Sequence, residues 1–376
     1  MSNGSGLFQF VRRIQERYQN ELMGKRNVVG VAMGYKNPAD HEDPAVVVLV
    51  EEKKPVSALN RTDIIPREID GVRTDVIEVG RLVALGDLQG DAQSTPHLGA
   101  SPRERHRPLI PAGVSAGHYL VTSGTLGGLV RDRTTGERLL LSNNHVFANS
   151  NEARYGDDII QPGKLDGGQH PLDKVATLER FLALAYLEGD VKPIITAQAA
   201  AAAQASKNPL QAFFDFLMSI IASKPAPAPT APTAPNVIMP AGMDNVADAA
   251  LARPINADLF TRQIRGIGNI RKTAPPTLGM HIRKTGRTTD TTQSTVTLLN
   301  ATVNVAYNTS KGVRNARFVE QVICNAFSQG GDSGALVVDA ESQTAVGLLF
   351  AGSGIASIFT PIDVVLDTLN VDLEVS

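Results

Sequence analysis

The chain has one cysteine, Cys324, no run of about 18 apolar residues, and a formal net charge of only −2. Each shortage excludes something. A lone cysteine forms no intrachain disulfide, which fits a reducing compartment and a cytoplasmic location. Cys324 closes the apolar stretch Phe318-Val319-Glu320-Gln321-Val322-Ile323, so a buried structural thiol is expected there and not a nucleophile. The absence of a long apolar run argues against a spanning helix and a membrane partner. Gly6-Leu7-Phe8-Gln9-Phe10-Val11 is too short for a secretion signal, and its charges follow it instead of preceding it. No long basic run occurs, which disfavours nucleic acid as a partner. Neither His-Glu-x-x-His nor Cys-x-x-Cys is found, so no metal is expected, and no cofactor is called for.

What is present begins with 42% hydrophobic residues in a chain of 376, enough for a sizeable core and two or three domains. Leu7, Val11, Ile14, Tyr18 and Leu22 recur at helical spacing and predict a helix with one apolar face. Strand-like runs follow at 28–34, 45–50 and 72–79, which makes residues 1–87 a small α+β domain. Residues 88–111, rich in Gly, Pro, His and Arg, read as a linker. From residue 112 to about 370, short β-like segments alternate with turns, as in sandwiches or barrels. Thr302–Tyr307 alternates like a half-buried strand. Thr360-Pro361-Ile362-Asp363 announces a closing helix with Thr360 as its cap. Residues 188–240 interrupt the β pattern. They hold an Ala/Gln tract, an apolar segment at 209–223 and a Pro/Ala run, and they read as an insertion. The N-terminal domain or segment 209–223 is the expected contact of a homo-oligomer.

The run Phe327-Ser328-Gln329-Gly330-Gly331-Asp332-Ser333-Gly334 stands directly before an apolar strand. A serine on a tight glycine turn is either an ordinary turn residue or a nucleophile. A nucleophile needs a base, a group to orient the base, and donors for the oxyanion. Of seven histidines, His145 stands apart, because it follows Leu139-Leu140-Leu141-Ser142 where an apolar strand meets a polar turn. A strand end is a rigid mount for a base.

Ser142-Asn143-Asn144-His145-Val146 and Gly331-Asp332-Ser333-Gly334 together resemble the histidine segment and nucleophile turn of trypsin-like, chymotrypsin-fold serine peptidases. Val346–Gly352 resembles the substrate-lining strand that follows, and Ile358–Pro361 the family's C-terminal ending. The combination is similar to disulfide-free bacterial members and, with Asn27–Lys36 and Asp70–Gly80, to plant NARROW LEAF-type peptidases. The resemblance implies a mainly β fold of two six-stranded β-barrels over residues 112–370. It also implies a serine endopeptidase acting on protein or peptide substrates, with residues in the order His, Asp, Ser.

Candidate carboxylates between the two motifs are Asp157, Asp158, Asp166, Asp173, Glu179, Asp190, Asp244, Asp248 and Asp258. Asp248-Ala249-Ala250-Leu251 matches the family's Asp-x-Ala-(Leu/Ile) pattern, with Asp244 as runner-up. The separations are 103 residues (145 to 248) and 85 residues (248 to 333). The family's worked example has about 45 and about 93. The excess of about 58 in the first gap is close to the 53 residues of 188–240. An insertion on a surface loop is tolerated. The resemblance then assigns His145, Asp248 and Ser333 to catalysis and the amides of Gly331 and Ser333 to the oxyanion hole. Phe327 is assigned to the base of the primary pocket, with Phe350, Ala351 and Gly352 along its wall. No acidic residue stands there, so small or apolar side chains are expected, not Arg or Lys.

Two departures from the family carry expectations. Phe350 stands where the family often has a serine touching the aspartate. Asp332, which pairs with a newly cut N-terminus in zymogen-type members, here has an internal partner or none. Two other readings remain. A catalytically quiet peptidase fold would serve binding or assembly. A nucleotide site at Lys284–Thr289 lacks the P-loop spacing and reads better as a barrel strand and turn.

Overall fold

A computed structural model describes residues 3–36, 43–85, 101–188, 236–238 and 244–376. The apolar segment 209–223, nearly all of the expected insertion, and residues 88–100 of the expected linker lie outside the described residues.

The protein is mainly β, with two six-stranded barrels preceded by a small α+β layer. In the first barrel, Ser115–His118 pairs with Gly124–Thr125, and the same stretch runs on through Gly128–Asp132 to Arg138–Ser142. Arg138–Ser142 pairs with Ala250–Pro254, which pairs with Lys174–Leu182. Asp158–Ile160 closes the ring between Lys174–Leu182 and Ser115–His118. The second barrel runs Gly312–Asn325, Ala356–Pro361, Thr344–Gly352, Leu336–Asp339, His281–Gly286 and Asp290–Thr309, then returns to Gly312–Asn325. Val371–Leu373 crosses back and pairs with Gly128–Asp132 of the first barrel.

The N-terminal layer continues the second barrel's sheet. Val28–Tyr35 lies antiparallel to both Pro44–Val50 and Asp290–Thr309. Helix Asn3–Met23 covers this sheet with Val11, Ile14 and Leu22 buried against Val31, Val46 and Val48. Leu7, expected on the same face, is 46% exposed, because the packed face begins at Val11. The buried Gln15 donates its amide to the Asn300 carbonyl at 2.6 Å and so ties helix to barrel.

Two local expectations fail for reasons of packing. Thr302–Tyr307 does not alternate. Thr302 and Ala306 are buried as well as Val303, Val305 and Tyr307, because the N-terminal layer covers the Thr302 and Ala306 face that a bare barrel would expose. Thr302–Tyr307 is part of one long strand, Asp290–Thr309, with register shifts around Asn300. The closing helix is Ile362–Leu369, capped by Pro361 without a side-chain bond. Thr360 belongs to the preceding strand and donates its hydroxyl to Gln321 Oε1 at 2.7 Å. Ile362, Val365, Leu366 and Leu369 then face the core at helical spacing.

Gly30 is needed where the layer meets the barrel. A Cβ there would lie 2.8 Å from Leu49 Cδ1, 2.9 Å from Val303 Cγ1 and 3.0 Å from the Thr302 carbonyl. Gly30→Val is expected to destabilise the protein by about 1–3 kcal/mol through overpacking. The check is the urea midpoint, with hydrogen exchange rising first in Val28–Tyr35 and Pro44–Val50.

Candidate active site

The strand Arg138–Ser142 buries three leucines in succession and ends in the helical turn Asn144–Phe147, which carries His145. Asn144 fixes that turn by donating to the Leu182 carbonyl at 2.6 Å and to Asn151 Oδ1 at 2.8 Å. Asp248 sits two residues before the strand Ala250–Pro254 and is fully buried. His145 Nδ1 lies 2.6 Å from Asp248 Oδ2, and the His145 N–H donates to Asp248 Oδ1 at 3.3 Å. A carboxylate offers only lone pairs, so the close Nδ1 contact requires the proton on Nδ1 and leaves Nε2 as the basic nitrogen. Asn143 Nδ2 also donates to the Asp248 carbonyl at 2.6 Å.

Tyr307 supplies what Phe350 lacks. Its hydroxyl donates to Asp248 Oδ2 at 2.8 Å, and its ring meets the His145 imidazole edge-on with centroids 5.9 Å apart. Phe318 stacks behind Tyr307, and Phe350 packs on Phe318 at 4.7 Å. The donor to the aspartate thus comes from Asp290–Thr309, across the second barrel from Phe350, with Phe350 contributing bulk behind it.

Ser333 stands on a turn with left-handed glycines on both sides, Gly331 at φ +95° and Gly334 at φ +92°. A Cβ on Gly334 would fall 2.2 Å from Ser142 Oγ and 2.3 Å from the Thr125 carbonyl. Only glycine lets the two barrels approach this closely. Thr125 ties both motifs together. Its N–H donates to the Ser333 carbonyl at 2.8 Å, and its own carbonyl accepts from Ser142 Oγ at 2.8 Å. Its hydroxyl donates to the Gly331 carbonyl at 2.9 Å. The Ser333 hydroxyl donates to the Phe350 carbonyl at 3.2 Å.

Asp332 has an internal partner. Lys284 Nζ lies 3.2 Å from Asp332 Oδ2, and neither side chain is exposed. Asp332 also accepts from the N–H groups of Thr288, Thr289 and Gln329 at 2.8, 3.1 and 3.0 Å, and from Thr289 Oγ1 at 2.7 Å. Burial pushes the Lys284 pKa down, against the pull of Asp332. Lys284 stands on the strand His281–Gly286, where its ammonium also donates to the Asp290 carbonyl at 3.1 Å.

Of the four expected pocket residues, Phe327 packs in one apolar cluster with Val337 and Val346, and Phe350 and Ala351 pack in another with Phe318 and Tyr307. Phe327, Phe350 and Ala351 are buried, and Gly352 ends the strand Thr344–Gly352. Residues 83–85 of the same chain lie against them. Val83 and Ala84 pair antiparallel with Gly352 and Ala351, and the Gly331 N–H donates to the Leu85 carbonyl at 2.7 Å.

Asp258 stands in the short helical turn Ala257–Leu259, and most of the other candidates form pairs elsewhere. Asp244 pairs with Arg317 and is 38% exposed. Asp157 and Asp158 pair with His118 and His170, Asp166 with Arg287, Asp173 with Arg105, and Glu179 with Arg253. Asp190 lies outside the described residues. Cys324 is buried, and burial pushes its thiol up to about 12, which keeps it protonated at neutral pH. No motif in the sequence marks Tyr307, Thr125 or Lys284 for these contacts. The one available signal was a tyrosine at the end of a strand already marked as β.

No protein-family profile matches the chain, and no curated protein matches it. Among solved structures it is similar to Thermobifida fusca protease A, at 14% identity and TM-score 0.41, over 71% of this chain and 100% of that one. It is also similar to Nocardiopsis protease, at 13% identity and TM-score 0.40, over 70% and 98%. Cellulomonas bogoriensis chymotrypsin matches at 14% identity and TM-score 0.38, over 71% and 100%.

Lys284→Met leaves Asp332 buried without its cation and is expected to cost about 3–5 kcal/mol of stability in urea unfolding. Adding Asp332→Asn should restore much of that loss if charge, and not shape, is responsible.

Proposed function

We propose that the protein is a serine endopeptidase of the chymotrypsin type, with Ser333 as nucleophile, His145 as base and Asp248 as the group that orients it. The observation that carries this reading is His145 Nδ1 held at 2.6 Å on a fully buried aspartate, with Thr125 tying the glycine turn that mounts Ser333 to Ser142 on the strand that leads to His145. The likeness of residues 27–36 and 70–80 to NARROW LEAF-type sequences supports reading it as a member of that branch.

The reaction is acyl transfer. Ser333 Oγ attacks a peptide carbonyl while His145 Nε2 takes the hydroxyl proton, and the tetrahedral oxygen is held by the Gly331 and Ser333 amides. His145 then returns the proton to the departing amine. Asp248 keeps the imidazole oriented and stabilises the imidazolium. Tyr307 holds Asp248 in turn, so it is a positioning residue that touches no substrate. Lys284 holds Asp332 from inside, so the turn needs no newly cut N-terminus to brace it.

A second reading, a quiet fold used for assembly, has one observation in its favour. The Ser333 hydroxyl rests on the Phe350 carbonyl while the chain's own residues fill the cleft. Fluorophosphonate labelling separates the two readings. Wild type should label at Ser333, and Ser333→Ala should lose both labelling and casein hydrolysis, the latter by about 10⁴-fold or more, with unchanged circular dichroism. An unlabelled wild type would favour the quiet fold.

Tyr307→Phe removes one hydrogen bond to a charged group, an effect of about 1.5 kcal/mol. The expected result is a fall of about tenfold in kcat with KM nearly unchanged. A rise in KM alone would assign Tyr307 to the pocket instead.

A further inference from the structure

The N-terminal layer ends in a segment that lies as a bound peptide would lie. Val83 and Ala84 extend the sheet at the edge of Thr344–Gly352, in antiparallel register with Gly352 and Ala351. The Leu85 N–H donates to the Phe350 carbonyl at 3.1 Å, and the Leu85 carbonyl accepts from Gly331 N–H at 2.7 Å. Peptide ligands add to sheet edges in this way, with main-chain bonds for affinity and pockets for side chains. Here the carbonyl on the Gly331 amide belongs to Leu85, so Leu85 holds the position of the residue to be cut.

The side chain and the nucleophile agree with that register. Leu85 is fully buried in one apolar cluster with Phe327, Val337 and Val346. The Ser333 hydroxyl and the Leu85 amide both donate to the Phe350 carbonyl, so nucleophile and peptide backbone meet at one oxygen. The segment is anchored from behind as well. The Ala306 N–H donates to the Leu82 carbonyl at 3.0 Å, and Ser353 Oγ donates to the Val79 carbonyl.

We propose that Val83–Leu85 is an internal substrate, that Ser333 cuts the chain at the carbonyl of Leu85, and that the pocket prefers leucine-sized aliphatic side chains. The proposal rests on the peptidase reading above. Ser333 Oγ bonds to the Leu85 carbonyl carbon, and the bond from that carbon to the next nitrogen breaks. His145 passes the hydroxyl proton to the departing amine. Water then hydrolyses the ester, which leaves a Leu85 carboxylate and restores the serine. The N-terminal piece stays bound, because Val28–Tyr35 remains paired with Asp290–Thr309. Its new carboxylate stays beside the Gly331 amide, and outside peptides compete with it.

The test is intact mass under denaturing conditions, on full-length wild type and Ser333→Ala incubated side by side. Wild type should yield one fragment ending at Leu85 and one beginning at Gly86, at a rate unchanged by tenfold dilution, while Ser333→Ala stays whole. A Val-Ala-Leu-aminocoumarin reporter should be cleaved about 100-fold faster than Val-Ala-Arg-aminocoumarin. A wild type that labels with fluorophosphonate yet stays whole, is cut elsewhere, or prefers arginine overturns the internal substrate and leaves the peptidase reading standing. A cleavage rate proportional to protein concentration overturns it too, since one copy would then be cutting another. A wild type that neither labels nor cleaves either reporter overturns the peptidase reading itself.

Discussion

A carboxylate with no water around it must be surrounded by donors, and Asp248 shows how much structure that requires. The His145 imidazole, the His145 N–H and the Tyr307 hydroxyl all converge on its two oxygens. The imidazole and the aspartate come from the first barrel, and the tyrosine from the second. Removing any one donor would leave a buried charge short of partners, which costs more than the bond itself contributes. The aspartate therefore fixes the imidazole and the relation between the barrels at once.

The same logic operates on the other side of the seam. Asp332 is fully buried next to Ser333 and is held by four hydrogen-bond donors and the Lys284 ammonium. A buried ion pair of this kind adds little net stability over an apolar pair, but breaking it is expensive. What it supplies is a fixed turn geometry. Gly331 and Gly334 take left-handed angles around it, and Thr125 stitches the turn to the strand that leads to His145.

The N-terminal layer is drawn into this arrangement by ordinary sheet chemistry. A barrel strand twenty residues long has unpaired backbone groups over part of its length, and Val28–Tyr35 pairs with them. The chain then returns along Val72–Glu78 and reaches the edge of Thr344–Gly352 at Val83. Burial of Thr302 and Ala306 follows from that coverage, and so does the occupant of the cleft.

Much of this was legible in local pattern. Apolar runs broken by glycine marked the strands, Gly-Asp-Ser-Gly marked a tight turn, and a histidine after three leucines marked a strand end. The pairing of strands was not legible, because period tells which face of an element is apolar and not which element will cover it. Phe350 in the sequence signalled only a missing hydroxyl, and Lys284 only a strand. The sequence alone determined which residue types stand at each turn and strand end. Tertiary structure decided that Tyr307 would reach Asp248, that Lys284 would meet Asp332, and that Leu85 would lie on Gly331. Each of those contacts joins segments remote in sequence, and desolvation of a polar group selects such a partner only once the barrels have closed.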